Sequence, residues 1–331
     1  MVPKVLVTTV PFAATNGLPL DLLQAASIDY VINPLGRKLT EPELCDLITG
    51  YDGLIAGTEP ITSAVMDAAG KLKIISRVGV GLDSVNLEGA KARGIAVAYT
   101  PDAPAPAVAE LTIGLMLSLL RCTHTANQQM HRGEWHRHFG RRLPEVTIGI
   151  IGTGRIGGRV LRRLSAFGSP RVLVNDLHPD STVTTDLKLE WVGKEEIYQQ
   201  ADLISLHLPL TAQTAGMITR RELMMMKSDA LLINVSRGGM IDEDDLLAVL
   251  EEGHLGGVAL DVFNREPYDG PLAGIDRCLL TSHMGSMSID CRSRMEIEAT
   301  EEVVRFFGSE KLRNPVPSSE YLLQAAMSNR P

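Results

Sequence analysis

No two of the four cysteines stand at Cys-x-x-Cys spacing: Cys45, Cys122, Cys278 and Cys291 are scattered through 331 residues. That excludes the common zinc and dithiol motifs and leaves free thiols in a reducing compartment as the plain reading. Positive charge is also short. The 32 Lys and Arg against 40 Asp and Glu give a net charge of −8, which argues against a nucleic-acid surface and suits small-molecule substrates. No apolar run approaches the ~20 residues of a membrane span, and no internal repeat or low-complexity tract is present. The opening "MVPKVLVTTVPFAA" sets one lysine before an apolar stretch, as a signal peptide does, but a first β-strand explains it equally well. What remains is 44% hydrophobic and 22% charged, the balance of a globular chain long enough for two ordinary domains. The expectation is a cytoplasmic protein with no nucleic-acid and no membrane partner.

Two series of short apolar runs alternate with helical patterns. The first is "KVLVTT", "DYVIN", "GLIAG", "KIISRV" and "IAVAY", with "TSAVMDAAGKL" and "NLEGAKARG" among the intervening helices, the latter closed by Gly94. The second is "TIGII", "RVLVND", "DLISLHL", "ALLINVS", "GGVALDV" and "CLLTS". Such alternation predicts βαβ units, hence parallel sheets covered by helices on both faces. Five strands followed by six predict an α/β protein of two doubly wound domains. Between the series, Pro101, Pro104 and Pro106 stiffen the crossing, and the helix that follows is apolar almost all round, which predicts burial in a core, at a subunit interface, or both. Near the end, "SMSIDCRSRMEIEATEEVVRFFGSEKL" reads as a long amphipathic helix, and "RNPVPSSEYLLQAAMSNRP" after it as a loosely held tail.

The most specific stretch is "TIGIIGTGRIGGRV". Gly152, Gly154 and Gly157 form G-x-G-x-x-G directly after an apolar strand and at the start of a helix. That pattern serves a tight turn, close approach of a diphosphate to backbone, and helix-on-strand packing, with the helix N-terminus facing the anion. The next strand ends on Asp176, 19 residues past the last glycine, where a carboxylate takes the adenosine ribose hydroxyls and repels a 2′-phosphate. The cofactor read from this is NAD rather than NADP, with Arg155 and Ile156 inside the motif, and His207 and Pro209 after a later strand, placed beside it. The plainer alternative for Asp176 is a loop carboxylate capping the next segment.

Ligands of open α/β sheets bind outside the carboxyl ends of the strands. There "LLINVS" delivers Arg237, "GGVALDVFNREP" delivers Asp261 and Glu266, and "CLLTSH" delivers His283. Arginine is a fixed planar cation suited to a carboxylate. Histidine exchanges protons near neutral pH, and a carboxylate beside it orients the ring. Alone, Arg237 reads as a surface ion pair, Glu266 as a loop charge before proline and His283 as a polar strand end. Their joint placement behind a dinucleotide motif is what points to chemistry.

The ordered motifs "GLIAGTEPIT", "LKIISRVGVGLDSVNL", "AVAELTIGLML", "IGIIGTGRIGGRV", "SLHLPLTAQTAGMI", "NVSRGGMIDEDDLL", "ALDVFNREP" and "LLTSHMGS" resemble the D-isomer-specific 2-hydroxyacid dehydrogenases, most of all their phosphoglycerate dehydrogenase-like branch. The resemblance covers nearly the whole chain. It implies catalytic roles for Arg237, Glu266 and His283, and contact between Asp261 and the nicotinamide carboxamide. The backbone N–H groups of Val78 and Gly79 would meet the substrate carboxylate. It further implies a Rossmann NAD-binding domain, residues 101–286, inserted into a flavodoxin-like substrate-binding domain, residues 1–100 and 287–331, and a homodimer. Arg77 matches one phosphate-binding arginine of that branch, while Gly57-Thr58 replaces another. The reaction implied interconverts a D-2-hydroxy acid and its 2-oxo acid, 3-phosphoglycerate leading. Glyoxylate or hydroxypyruvate reduction is the alternative, and an NAD(H)-sensing corepressor-like binding protein a third.

Two features stand outside this reading. "HRGEWHRHFGRR" holds His131, His136 and His138 among arginines, but Gly133 interrupts the helical spacing and no carboxylate or cysteine completes a tetrahedral metal set. It reads as a solvated basic surface, with Trp135 reaching towards a neighbouring subunit as a tryptophan does in related reductases, and no metal is expected. Met224, Met225 and Met226 read as core or helix-end filling.

Overall fold

The structure is a computed structural model that describes residues 2–179 and 185–328. The chain forms two compact units, one from residues up to Pro104 together with those from Met287, the other Ala105–Ser286. The second is therefore inserted in the chain of the first.

The first unit holds strands β1 (Lys4–Val7), β2 (Asp29–Ile32), β3 (Gly53–Ala56), β4 (Ile74–Arg77) and β5 (Ala96–Tyr99). They form one parallel sheet in the order β2-β1-β3-β4-β5. Side chains alternate between its faces because successive strand residues point oppositely. Leu6, Leu54, Ala56 and Ile75 join one core, with α2 (Glu41–Leu47), α3 (Ser63–Ala68) and α4 (Leu87–Ala92). Val5, Val7, Ile55 and Ile74 join the other, with α1 (Leu18–Ala25) and the long α11 (Ile289–Phe307). Met295, Ala299 and Val303, at helical spacing on α11, are almost wholly buried there. At roughly 1.5–3 kcal/mol for a large apolar side chain, that stripe is what returns α11 to the first unit.

The second unit holds β6 (Thr147–Ile151), β7 (Arg171–Asn175), β8 (Leu189–Trp191), β9 (Leu203–Leu206), β10 (Leu231–Asn234), β11 (Gly257–Leu260) and β12 (Cys278–Leu280). Their order is β12-β11-β10-β9-β6-β7-β8, again all parallel. Seven strands stand where the sequence predicts six. The additional one, β8, pairs only with β7 and shows Glu190 half-buried and Trp191 exposed, so no apolar run announces it. Helix α5 (Ala105–Leu120) packs Val108, Ile113, Met116 and Leu119 into one core of this unit beside α7 (Gly157–Leu164). The other core receives α8 (Lys194–Gln200), α9 (Arg220–Met225) and α10 (Glu243–Glu251). Helix α6 (Thr123–His131) follows α5 with no buried residue.

One expectation is overturned at the end of the chain. Instead of a loose tail, Ser318–Ser328 forms helix α12. Tyr321 packs beside the first core, and the Gln324 carboxamide accepts from Leu87 N–H at 2.7 Å and donates to Val85 O at 2.7 Å. The two serines that suggest looseness, Ser318 and Ser319, instead open the first turn of a helix that follows Pro317. Among the described residues no single helix is long and apolar enough to cross a membrane; α5 and α6 meet the criterion only as a pair, bent by 65°.

Candidate active site

Strand β6 runs into the glycine turn without a gap. Gly152 lies at φ +96° with the His207 carbonyl so close that a Cβ there would meet it at 2.3 Å, and a Cβ on Gly157 would lie 1.9 Å from Gly152 O. Only glycine fits either place. Gly154 is different: it is exposed, and a Cβ would meet nothing within 4 Å. An open, side-chain-free position before α7, whose first N–H groups have no side-chain cap, is what a diphosphate lying on backbone requires. Asp176, just past β7, accepts from Thr153 N–H at 2.7 Å and Thr153 Oγ1 at 3.1 Å through Oδ2, and from His178 N–H at 3.0 Å through Oδ1. The plainer reading of Asp176 as a loop cap is met, and the same carboxylate is set beside the glycine turn, where the ribose reading needs it. The residues present fit a dinucleotide.

His207 is paired with Ser205, Oγ to Nε2 at 3.0 Å. Burial alone pushes its imidazole down to about 3, so the ring is neutral at any working pH and serves as packing beneath the glycine turn. Pro209 is exposed beyond β9.

Past β10 the chain turns sharply. Ser236 Oγ donates to Leu206 O at 2.6 Å and Asn234 Nδ2 to Arg237 O at 2.7 Å. Gly238 answers why glycines follow the arginine: a Cβ there would stand 2.0 Å from Phe263 O, so the backbone leaves the strand in contact with the loop after β11. Arg237, half-buried, donates from Nη1 to Ser236 O at 2.7 Å.

The loop after β11 folds back as the 17-residue separation allows, and His283 Nδ1 meets Glu266 Oε2 at 2.8 Å. Glu266 is itself fixed by Phe263 N–H, which donates to Oε1 at 3.2 Å. With Nδ1 engaged by a carboxylate, Nε2 is the nitrogen left for proton exchange. His283 has φ +51°, a left-handed conformation uncommon for a side chain of this size. Asp261 holds it there. Its carboxylate, 1% exposed, accepts from Thr281 Oγ1 at 2.6 Å, Met284 N–H at 2.9 Å and Gly285 N–H at 2.8 Å. These bonds flank His283 on both sides, a role that the sequence reading, which turns Asp261 towards nicotinamide, does not contain. The signal was Thr281, the residue directly after β12, the strand beside β11.

In the first unit the turn after β4 needs a correction. Val78 N–H donates to Ala56 O at 2.9 Å, continuing the sheet, and Gly79 N–H donates to Thr100 Oγ1 at 2.8 Å. Neither is available to a substrate carboxylate. The Arg77 guanidinium folds back on the same turn and donates to Val78 O, lying where a Cβ on Gly79 would be, so it is not presented to a phosphate. The repeated Val-Gly of "SRVGVG" left the register open, and the second pair, Val80 and Gly81, is half-buried with N–H groups that have no partner among the described residues.

Trp135 and Phe139 are exposed, 77% and 106%. The His136 and His138 rings meet edge to face at 4.5 Å, and His138 Nε2 pairs with Gln129 Oε1 at 2.8 Å. Among the described residues no group of three or more His, Cys, Asp or Glu is placed to hold a metal.

If Asp176 repels a 2′-phosphate, Asp176→Ser is expected to raise the NADPH:NADH ratio of kcat/KM by about 10–100-fold, the order of one charge contact partly screened by solvent. Steady-state kinetics with both cofactors checks this, and an unchanged ratio would leave the carboxylate only its capping role.

Comparison with known proteins agrees with this geometry. Residues 113–285 match the family described as D-isomer specific 2-hydroxyacid dehydrogenase, NAD binding domain. A D-3-phosphoglycerate dehydrogenase of Methanocaldococcus jannaschii is 38% identical over 84% of this chain and 54% of its own length. The chain thus spans about half of that relative. A hydroxypyruvate reductase of Thermotoga maritima is 35% identical over 82% of this chain and 90% of its own. Among solved structures, the TT0316 protein of Thermus thermophilus superposes with a TM-score of 0.86 at 35% identity, over 95% of this chain and 100% of that one. The match of its second unit and the near full-length likeness to the reductase show that this chain belongs to the D-isomer-specific 2-hydroxyacid dehydrogenase family, with NAD as cofactor.

Proposed function

We propose that the protein is an NAD-dependent oxidoreductase that interconverts a small D-2-hydroxy acid and its 2-oxo acid. The observation that carries this is the His283–Glu266 pair at 2.8 Å, set beyond the carboxyl ends of the sheet that also carries the glycine turn. The dinucleotide, when bound, supplies or takes the hydride at the 2-carbon. His283, protonated, gives its Nε2 proton to the carbonyl oxygen in reduction and takes it back in oxidation. Arg237 binds the substrate carboxylate and stabilises charge building on the oxygen. Within the first unit, the N–H groups of Val80 and Gly81, not those of Val78 and Gly79, are the ones open to an anion. A homodimer in the cytoplasm completes the reading; exposed Trp135 and Phe139 support the dimer.

The test is NADH oxidation by the purified protein against 3-phosphohydroxypyruvate, hydroxypyruvate, glyoxylate and pyruvate. Turnover on at least one is expected. NADH binding with silence across the panel would displace the enzymatic reading in favour of a dinucleotide-sensing protein.

A further inference from the structure

In a doubly wound sheet, ligands sit at the carboxyl ends of the strands where the strand order reverses. In the first unit that point lies between β1 and β3. A carboxylate occupies it. Glu59 follows β3 and is 1% exposed; its Oε1 accepts from Gly57 N–H at 2.9 Å and from Thr8 Oγ1. Both Oε1 contacts are neutral donors, and no ion pair to Glu59 is present among the described residues. Its second oxygen, Oε2, has no hydrogen-bond partner among the described residues and is not one of the fully sealed, unsatisfied atoms. It lies over Gly57, where a Cβ would meet it at 2.8 Å. A side chain at position 57 would cover it.

The cations around this point are engaged elsewhere. Arg292 reaches Thr9 Oγ1 at 2.8 Å but is neutralised by Glu296 at 2.6 Å, and Arg77 points back into its own turn. The turn carrying Val80 and Gly81 is next to this place, since Ala56, one residue before Gly57, pairs with Arg77 and accepts from Val78 N–H.

We propose that Glu59, with the Thr8 hydroxyl behind it, forms an anionic subsite for the end of the substrate remote from its carboxylate. It accepts a hydrogen bond from a neutral hydroxyl there and repels a phosphate. This rests on the 2-oxo acid reductase reading above and narrows it to unphosphorylated hydroxy-oxo acids, against the name of the M. jannaschii relative.

The experiment compares kcat/KM for hydroxypyruvate and 3-phosphohydroxypyruvate with NADH, in the wild-type enzyme and in Glu59→Gln, whose carboxamide still accepts from Gly57 and Thr8. Wild type is expected to favour hydroxypyruvate by about a hundredfold or more, the order set by a carboxylate facing a phosphate at an effective dielectric near 20. In Glu59→Gln the two KM values are expected to move oppositely, up for hydroxypyruvate and down for the phosphorylated acid, compressing the ratio about tenfold. A merely structural Glu59 would move both the same way. A wild-type ratio at or below one, or parallel shifts in the variant, overturns the subsite while leaving the reductase reading intact. Turnover on neither compound overturns the subsite, and the reductase reading falls with it only if glyoxylate and pyruvate are silent as well. Inhibition of the wild-type enzyme by glycerate and by 3-phosphoglycerate gives the same discrimination without any variant: glycerate is expected to bind tighter, and the reverse order overturns the proposal.

Discussion

His283→Asn is expected to lower kcat for 2-oxo acid reduction by about 10³-fold, within the 10²–10⁴ range typical of a positioned general acid, with the Kd for NADH changed less than about threefold. Asparagine is the better replacement than alanine because His283 sits at φ +51°, where asparagine is enriched and most other side chains are strained. The backbone then stays as it is, and the loss reports chemistry alone. Glu266→Gln is expected to cost less, about 10–100-fold. The carboxamide oxygen still accepts from His283 Nδ1 across the 2.8 Å contact and keeps the ring's direction, while the charge that stabilises the imidazolium is gone. Single-turnover kinetics separates the two effects from product release. A His283→Asn enzyme within tenfold of wild type would move the proton to another group.

The order of these losses also shows what was readable in the sequence. The placement of Arg237, Glu266 and His283 was legible because each follows an apolar strand, and strand ends in a parallel sheet face one side. Strands β1, β3, β4 and β5 of the first unit and β6, β7, β9, β10 and β11 of the second were legible because a strand buried on both faces is a run of apolar residues, and the edge strands β2 and β12 keep enough of such a run to be read although β2 is largely exposed. Strand β8 was not legible, since its three residues Leu-Glu-Trp, with the charged Glu190 at the centre, carry no such run. Nor was α12, whose order comes from Gln324 bonding the segment Val85–Leu87, a contact between residues more than two hundred positions apart that no local pattern encodes. The Val78–Gly79 assignment failed on register. Two Val-Gly pairs in succession look alike in sequence, and only the hydrogen bond from Val78 to Ala56 shows that the first still belongs to the sheet. Asp261 was found as a cofactor contact, but its task in holding the His283 loop was not, because a partner such as Thr281 is recognised only once two strands lie side by side.

That task sets the second large effect. Asp261→Asn keeps the size of the side chain and removes its charge. One of its atoms becomes an N–H donor facing Gly285 N–H or the Thr281–Met284 pair, and at least one bond among the three turns into a donor–donor contact. A buried donor left unsatisfied costs about 1–3 kcal/mol, more where the lost acceptor was charged. The unfolding free energy is therefore expected to fall by about 2–4 kcal/mol. The same bonds hold His283 in its left-handed conformation, and a loop released from them relaxes towards ordinary φ, carrying Nδ1 away from Glu266. A displacement of about 1 Å in a catalytic group costs on the order of 10²-fold, so kcat is expected to fall by about that factor with the Kd for NADH nearly unchanged. Chemical denaturation and NADH titration of one preparation read both quantities. If Asp261 instead served the nicotinamide carboxamide, as its motif suggests, the variant would weaken NADH binding severalfold and leave the stability almost untouched. The geometry of a carboxylate 1% exposed, with three donors from the loop that carries the general acid, places the cost in the loop.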